Sequence, residues 1–191
     1  MPGNGPKLVA CLGNPGLRYR MTWHNAGFWV ADVLASEAGV SFTDAGLFEA
    51  AGLPGGPELI KPRTWMNGSG TAVREFLGIR GWVCGDLLVV CDDVNLPLGT
   101  LRLRAEGSHG GHNGLRDVIE KLGSEEFARL RLGVGPPPER EDLADYVLGK
   151  VPGRLELEAS LMAHRAADCV LACAREGLEA AQSSYNRKPP E

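Results

Sequence analysis

The strongest constraint on the fold is an unbroken apolar run, Leu-Leu-Val-Val, within the segment 86–91. A strand in which every side chain is apolar is typical of the centre of a sheet, where both faces are buried. The rest of the chain alternates between strand-like and helix-like segments. The sequence therefore predicts an α/β fold.

The other elements follow from the spacing of apolar residues and from the glycines and prolines between them. Strands are predicted at 7–12, 47–53, 58–61, 100–104 and 128–134, and helices at 25–38, 70–77, 115–122 and 153–175. In two of these strands leucines alternate with Arg102, Arg104, Arg129 and Arg131. Arginines in this pattern are expected on a solvated strand face, where they can also contact phosphates.

Length and composition fit one domain that spans residues 1–191, with a core from about 7 to 186 and disordered termini. Of the 191 residues, 43% are hydrophobic and no apolar run approaches the roughly 20 residues that span a bilayer. Residues 1–6 lack the features of a signal peptide. We therefore expect a cytoplasmic protein. The five cysteines include no C-x-x-C pair and are expected to be reduced.

The net charge of −4 is a weak argument against a nucleic-acid partner, because phosphate binding depends on basic residues. A local basic patch can nevertheless attract a polyanion, so the total charge does not exclude an RNA substrate.

A histidine and an aspartate are the best candidates for acid–base chemistry. His24 precedes a predicted helix, and imidazole takes up a proton near neutral pH; alternatively, His24 caps that helix. Asp92 ends the buried strand and can orient an imidazole, although Asp93 is an equally plausible partner. The chain has no G-x-S-x-G motif, and Cys91 lies on the buried strand. Water is therefore the expected nucleophile.

Three asparagines, Asn14, Asn67 and Asn113, lie in predicted loops beside strands. Amide side chains offer both donors and acceptors, which suits a peptide substrate and the stabilisation of an oxyanion. Each asparagine alone is better explained as a turn residue, because each lies next to a glycine or proline.

The glycine-rich segment 107–114 leads into the helix that begins near Leu115. Its glycines allow the backbone to approach a ligand closely, and a helix N-terminus favours anions. His109 and His112 in this segment also suggest a metal-dependent hydrolase as an alternative, but the chain shows no H-E-x-x-H motif and no clear third ligand.

Several motifs together resemble the bacterial peptidyl-tRNA hydrolase family in order and spacing. They are Gly13-Asn14-Pro15-Gly16 with Tyr19, His24-Asn25-Ala26-Gly27, Trp65-Met66-Asn67, Asp92-Asp93-Val94-Asn95-Leu96-Pro97, and Gly110-Gly111-His112-Asn113-Gly114. The resemblance covers residues from about 7 to 186. It implies a three-layer sandwich with a mixed twisted sheet between helices.

The resemblance also implies a reaction and a set of roles. The ester bond between a peptide and tRNA would be hydrolysed, releasing free tRNA for reuse after stalled translation. His24 would be the general base, Asp92 would orient it, and Asn14 would help to reject free aminoacyl-tRNA. Substrate contacts would come from Tyr19, Trp65, Asn67, Asn113 and, on the basic strand, Arg131. The family resemblance implies a monomer with peptidyl-tRNA as its partner, without a cofactor, a membrane or an obligate protein partner.

Three positions differ from residues common in the family. Trp65 replaces phenylalanine and keeps an aromatic surface. Trp23 replaces a basic or small polar residue, which would remove a phosphate contact, and Asn95 replaces an acidic residue. These differences bear on RNA affinity. The alternative that they leave open is a catalytically inactive RNA-binding relative with the same fold.

Overall fold

The computed structural model describes residues 5–186. The predicted disordered tail, which begins at residue 187, lies outside the described residues. The strands are β1 Leu8–Cys11, β2 Thr43–Asp44, β3 Phe48–Gly52, β4 Glu58–Pro62, β5 Leu87–Asp93, β6 Leu101–Arg104 and β7 Ala128–Gly133. The helices are α1 Ala26–Ala38, α2 Ser69–Arg80, α3 Asn113–Leu122, α4 Leu143–Leu148, α5 Glu156–Glu176 and α6 Leu178–Tyr185.

The strands form one mixed sheet in the order β2-β3-β4-β1-β5-β7-β6. The four central strands β4, β1, β5 and β7 are parallel, and the outer strands β3, β2 and β6 are antiparallel to their neighbours. The apolar run predicted to be central is in the middle of the sheet, and every residue of β5 is buried. The predicted α/β class and mixed sheet are confirmed.

Each face of the sheet is covered by helices, which makes three layers. Alternating residues of β5 enter different cores: Leu88 and Val90 pack with α1, α5 and α6, whereas Val89 packs with α2 and α3. This alternation explains why the run carries no polar residue before its carboxyl end. No helix within residues 5–186 is long and apolar enough to cross a membrane.

The predicted strands and helices are present, with small shifts at their ends. Three elements were not predicted: the two-residue strand β2, the short helix α4 and the final helix α6. The predicted helix 153–175 begins with a 3-10 turn, and its end at Gly177 is immediately followed by α6. The prediction ended helical structure at residue 175, whereas in the structure Gly177 joins α5 to a further helix.

A close backbone contact fixes α1 against the sheet. A Cβ atom on Gly27 would lie 2.4 Å from the carbonyl oxygen of Leu12 and 2.6 Å from that of Val90. Both atoms belong to backbone, which cannot rotate away. Gly27 therefore allows the first turn of α1, and His24 just before it, to lie directly over the carboxyl ends of β1 and β5.

We expect Gly27→Ala to lower the free energy of unfolding by about 2 kcal/mol or more, because the added methyl group overpacks this contact. The matched control is Gly78→Ala in α2, where an added Cβ would meet nothing within 4 Å. That control should gain up to about 1 kcal/mol from helix propensity. Urea unfolding of both variants tests the contact, and equal stabilities would contradict it.

Candidate active site

The site lies at the carboxyl edge of the parallel strands. β1, β4 and β5 run in the same direction, so the segments that follow them meet there. The chain after β1 contributes Asn14 and His24, the chain after β4 contributes Trp65 to Asn67, and β5 contributes Asp92, its penultimate residue. The glycine-rich segment delivers His112 and Asn113 at the start of α3. Ligand sites in open α/β sheets lie at this edge.

Asp92 binds two imidazoles. Nδ1 of His24 lies 2.9 Å from Oδ1 and 3.1 Å from Oδ2 of Asp92, and Nε2 of His112 lies 3.0 Å from the same Oδ1. The two imidazole ring centroids are 4.9 Å apart. Asp93, the alternative partner, points elsewhere: it accepts hydrogen bonds from Arg131 and from the backbone of Asn95. Of the two aspartates, Asp92 is the one that contacts His24.

The hydrogen bonds determine where each imidazole carries its proton. A carboxylate only accepts, so His24 donates from Nδ1 and its Nε2 holds the lone pair. Nδ1 of His112 accepts the backbone N–H of Leu115 at 3.1 Å, so the proton of this ring is on Nε2 and is donated to Asp92. Within residues 5–186, Nε2 of His24 has no hydrogen-bond partner, and it is available to accept a proton.

Burial and charge act in opposite directions on the pKa values of His24 and Asp92. Burial lowers the pKa of His24, but the charge of Asp92 and its hydrogen bond raise it, and the net result is a pKa above the ordinary value for histidine. Burial raises the pKa of Asp92, whereas the charges and hydrogen bonds of His24 and His112 bring it well below its usual range. Asp92 is therefore ionised wherever the fold is intact at ordinary pH.

Asn14 and Asn25 form a buried pair next to His24. The backbone N–H of Asn14 donates to Oδ1 of Asn25 at 2.9 Å, and Nδ2 of Asn25 donates to the carbonyl of Asn14 at 3.0 Å. Oδ1 of Asn14 accepts the backbone N–H of Met66 at 2.8 Å. The oxygen of Asn14 is thus occupied, and its Nδ2 is the group left to meet a ligand.

The predicted substrate-contacting residues are more exposed. Asn67 and Asn113 are exposed, and neither amide side chain has a hydrogen-bond partner in the described part of the chain. Tyr19 packs edge-on against Trp65 with ring centroids 5.7 Å apart, and Trp65 keeps 52% of its surface exposed. The two asparagines and Trp65 can receive a ligand without first breaking a polar contact, whereas the hydroxyl of Tyr19 accepts a hydrogen bond from Arg18, whose guanidinium lies 4.5 Å from the ring centroid.

A cavity of about 520 Å³ opens over the two histidines. Its lining includes His24, Asp92, Asn113 and Arg131 from the predicted set. The far wall is α4, which begins at the capping residue Asp142 and contributes Leu143, Val147 and Leu148. Asn14 instead lines a second cavity of about 470 Å³, and Tyr19, Trp65 and Asn67 lie outside both.

The arginines of β7 are not on a solvated face, so that part of the prediction is wrong. Only 1% of the surface of Arg129 and 9% of that of Arg131 is exposed to solvent. Arg131 pairs with Asp93 at 3.1 Å and donates to the carbonyl of Ser108, and Arg129 holds the carbonyl of Gly107. β6 and the glycine-rich segment cover this end of β7. Arg102 and Arg104, on the edge strand β6, are exposed as predicted.

Trp23 also differs from expectation. Only 1% of its surface is exposed to solvent, and its ring packs against those of Trp29 and Tyr146, with centroids 6.2 and 6.3 Å away. Its side chain therefore belongs to the core beneath His24 and does not replace a surface contact.

The metal alternative was centred on His109 and His112, and the placement of His109 does not support it. Nδ1 of His109 accepts the backbone N–H of Gly111, and among the described residues His109 is not part of the group of ligand-type atoms that includes His112. His24, Asp92 and His112 do bring ligand-type atoms within 4.8 Å of one another. However, the tautomer that His112 needs to cap α3 has a proton on the Nε2 that would face an ion. The three groups fit a hydrogen-bonded set better than a metal site.

Cys91 is unsuited to act as a nucleophile. Its side chain is fully buried in the core between the sheet and α2 and α3, and burial raises the pKa of the thiol.

Sequence reasoning assigned no specific role to three parts of this site. Asn25 holds Asn14 and was treated only as part of a motif, although its position next to His24 was a signal. His112 was considered as a metal ligand and not as a partner of Asp92. The α4 wall was missed, although Asp142 followed by Leu143 and Val147 has the pattern of a capped helical turn.

Comparison with known proteins gives consistent matches along the chain. A family model described as "Peptidyl-tRNA hydrolase" matches residues 8–191. Proteins named peptidyl-tRNA hydrolase from Lachnospira eligens and Chlorobaculum tepidum are 43% and 46% identical, cover 94% of this chain, and are themselves covered over 98% and 97%. A crystal structure of peptidyl-tRNA hydrolase from Acinetobacter baumannii superimposes with a TM-score of 0.86 at 34% identity, with 97% of each chain covered.

Proposed function

This chain belongs to the peptidyl-tRNA hydrolase family, and on that premise we propose that it cleaves the ester between peptide and tRNA by general-base attack of water, with His24 as the base. The observation that carries this assignment is the free Nε2 of His24, because Nδ1 is held by Asp92 and the ring lines the cavity. A base with its second nitrogen fixed in this way has one direction in which to accept a proton.

The proposed reaction moves one proton twice. Nε2 of His24 takes a proton from water as the water oxygen bonds to the ester carbonyl carbon. The resulting tetrahedral intermediate collapses, the bond to the ribose oxygen breaks, and the imidazolium returns the proton to that oxygen. Asp92 stabilises the imidazolium while it exists. The products are a peptide acid and free tRNA, and no cofactor takes part.

We propose that Asn14 and the exposed asparagines recognise the peptide. Asn14 is held by Asn25, the neighbour of His24 in the chain, and its Nδ2 is the donor left over to suit a substrate carbonyl or the developing oxyanion. A donor in this place would disfavour the positively charged amino group of free aminoacyl-tRNA. Asn67 and Asn113 would bind the peptide amides or the 3′ end of the tRNA.

The aromatic pair Tyr19 and Trp65 suits the unpaired bases at the tRNA 3′ end, because bases stack on exposed aromatic rings. Phosphates would contact Arg131 at the cavity wall and the exposed arginines of β6. In this proposal the chain works in the cytoplasm as a single-domain monomer, and its product is tRNA returned to translation.

The activity is tested directly with N-acetyl-aminoacyl-tRNA and, as the control substrate, unblocked aminoacyl-tRNA. We expect release of the blocked amino acid only. Tight RNA binding by folded protein without any cleavage would contradict the proposal and would indicate the inactive RNA-binding relative.

Substitution of Arg104 and of Arg131 should have different effects on RNA binding and on stability. Arg104→Gln removes an exposed charge, so RNA affinity should fall modestly and the salt dependence of binding should lose about one unit of slope. Arg131→Gln leaves the buried Asp93 without its partner, so it should also lower the midpoint of urea unfolding. Binding titrations at several salt concentrations test both variants. An unchanged salt slope in either variant would remove that arginine from the RNA contact surface.

A further inference from the structure

The second imidazole on Asp92 has a place in the site that the hydrolytic mechanism above does not use. His112 lies at the boundary between the glycine-rich segment and α3, where it is the N-cap residue. One ring nitrogen faces the helix and the other faces the catalytic carboxylate. The ring thus connects the start of α3, which carries Asn113, with the pair formed by Asp92 and His24.

We propose that His112 is a positioning residue that fixes Asp92 for His24 and links that carboxylate to the first turn of α3. The proposal rests on the proposed general-base role of His24. Its geometric basis is the shared atom: Oδ1 of Asp92 receives His24 at 2.9 Å and His112 at 3.0 Å. Two donors on one oxygen leave the carboxylate little freedom to rotate.

The ring of His112 is itself held tightly. Nδ1 accepts the N–H of Leu115, and a Cβ atom on Gly114 would lie 3.0 Å from Cε1 of His112 and 2.4 Å from Sδ of Met66. Only a residue without a side chain lets the first turn of α3 approach the imidazole so closely. The contacts with α3 therefore hold the Nε2 proton of His112 toward Asp92.

A second donor also limits how strongly Asp92 can hold a protonated His24. The N–H of His112 donates to Oδ1 of Asp92 and so partly offsets the negative charge on that oxygen. Without this N–H, Asp92 should attract the imidazolium of His24 more strongly. The pKa of His24 should then rise, which lowers the fraction of free base at neutral pH. Loss of His112 would thus affect both the orientation and the protonation of the base.

Other charged groups that face His24 are few. Besides Asp92 and His112, the cavity is lined by Asp93 and Arg131, which pair with each other, and by Asp142 at the start of α4. The residues of α1 contribute none to the cavity lining. The substitutions below leave these groups in place, so a change in the titration of His24 is attributable to position 112.

Two substitutions separate the two contacts. His112→Asn places an amide where Nδ1 was, so it keeps an oxygen for the cap of α3 but cannot reach Asp92. His112→Gln places an amide N–H where Nε2 was, so it keeps the donor to Asp92 and weakens the cap. A third variant, His164→Gln on the exposed face of α5, is the matched control.

We expect turnover to fall about tenfold in His112→Asn with little change in thermal midpoint. In the same variant the pKa of His24, followed by NMR, should rise by about half a unit. Assignment is practical because the chain has four histidines. His112→Gln should retain more turnover and an unchanged titration of His24, with a thermal midpoint lower by about 3 °C. The control should resemble the wild type.

Equal losses of turnover and stability in the two variants would overturn the proposal, because they would show a structural role only. A wild-type titration of His24 in His112→Asn would also overturn it. The NMR titration does not depend on activity. If the wild-type protein fails to cleave the blocked substrate, the proposed function fails, and the titration still decides whether His112 acts on Asp92 and His24.

Discussion

His24→Ala is expected to lower the rate of hydrolysis of N-acetyl-aminoacyl-tRNA by about a hundred- to ten-thousand-fold, since general-base help contributes factors of this size. The variant lacks the only imidazole nitrogen at the cavity that is free to take a proton among the described residues. Substrate affinity should change much less, because the aromatic and asparagine contacts remain. Single-turnover kinetics with excess enzyme measures the chemical step separately from binding.

Folding has to be separated from chemistry, because His24 is largely buried and bound to Asp92. His24→Asn serves this purpose: its amide can replace Nδ1 as the donor to Asp92, but nothing replaces Nε2. Both variants should unfold at nearly the wild-type temperature and be similarly inactive, and His164→Ala should be fully active. Turnover near the wild-type level in His24→Asn would exclude His24 as the base.

The fold was largely predictable because its central strand, β5, begins with consecutive apolar residues that stand out in the sequence. The run that forms β5 is apolar on both faces, and helices α1, α2, α3 and α5 show an apolar face that ends at or near a glycine. β2 and α4 were missed because they have two and six residues, too few for a periodic pattern to stand out. Strand order depends on which surfaces meet, and spacing along the chain does not contain that information.

The site was predictable in its residues and less so in its contacts. His24 and Asp92 are 68 residues apart, and nothing local distinguishes Asp92 from Asp93. In the structure the strand sends the two side chains to opposite sides, where one meets the imidazoles and the other meets Arg131. The arginines of β7 were misassigned for a related reason: alternation shows that two faces differ, but not that a loop such as 107–111 covers the polar one.

Asp92→Asn is expected to reduce turnover by roughly a hundred- to ten-thousand-fold while changing substrate affinity little, as loss of the orienting carboxylate does in catalytic triads. The amide oxygen can still accept from His24 or His112. However, its NH₂ group would then lie where Oδ2 faces Nδ1 of His24 at 3.1 Å, so two donors would oppose each other. Relief of that clash rotates the imidazole or moves its proton to Nε2, and either change leaves only a small fraction of molecules with the Nε2 lone pair in position to act as the base.

The same substitution should change the pH profile in a direction that follows from the charges. The pKa of His24 is raised because of Asp92, and the base is active only when it is neutral, so kcat/KM of the wild type should fall as the pH drops through that raised value. Without the carboxylate the pKa of His24 decreases, and the residual activity should persist to lower pH. His112→Asn should move the profile the opposite way. Shifts of opposite sign in these two variants would place Asp92 between the imidazoles as an electrostatic link, whereas an unchanged profile in Asp92→Asn would show that its charge does not act on the base.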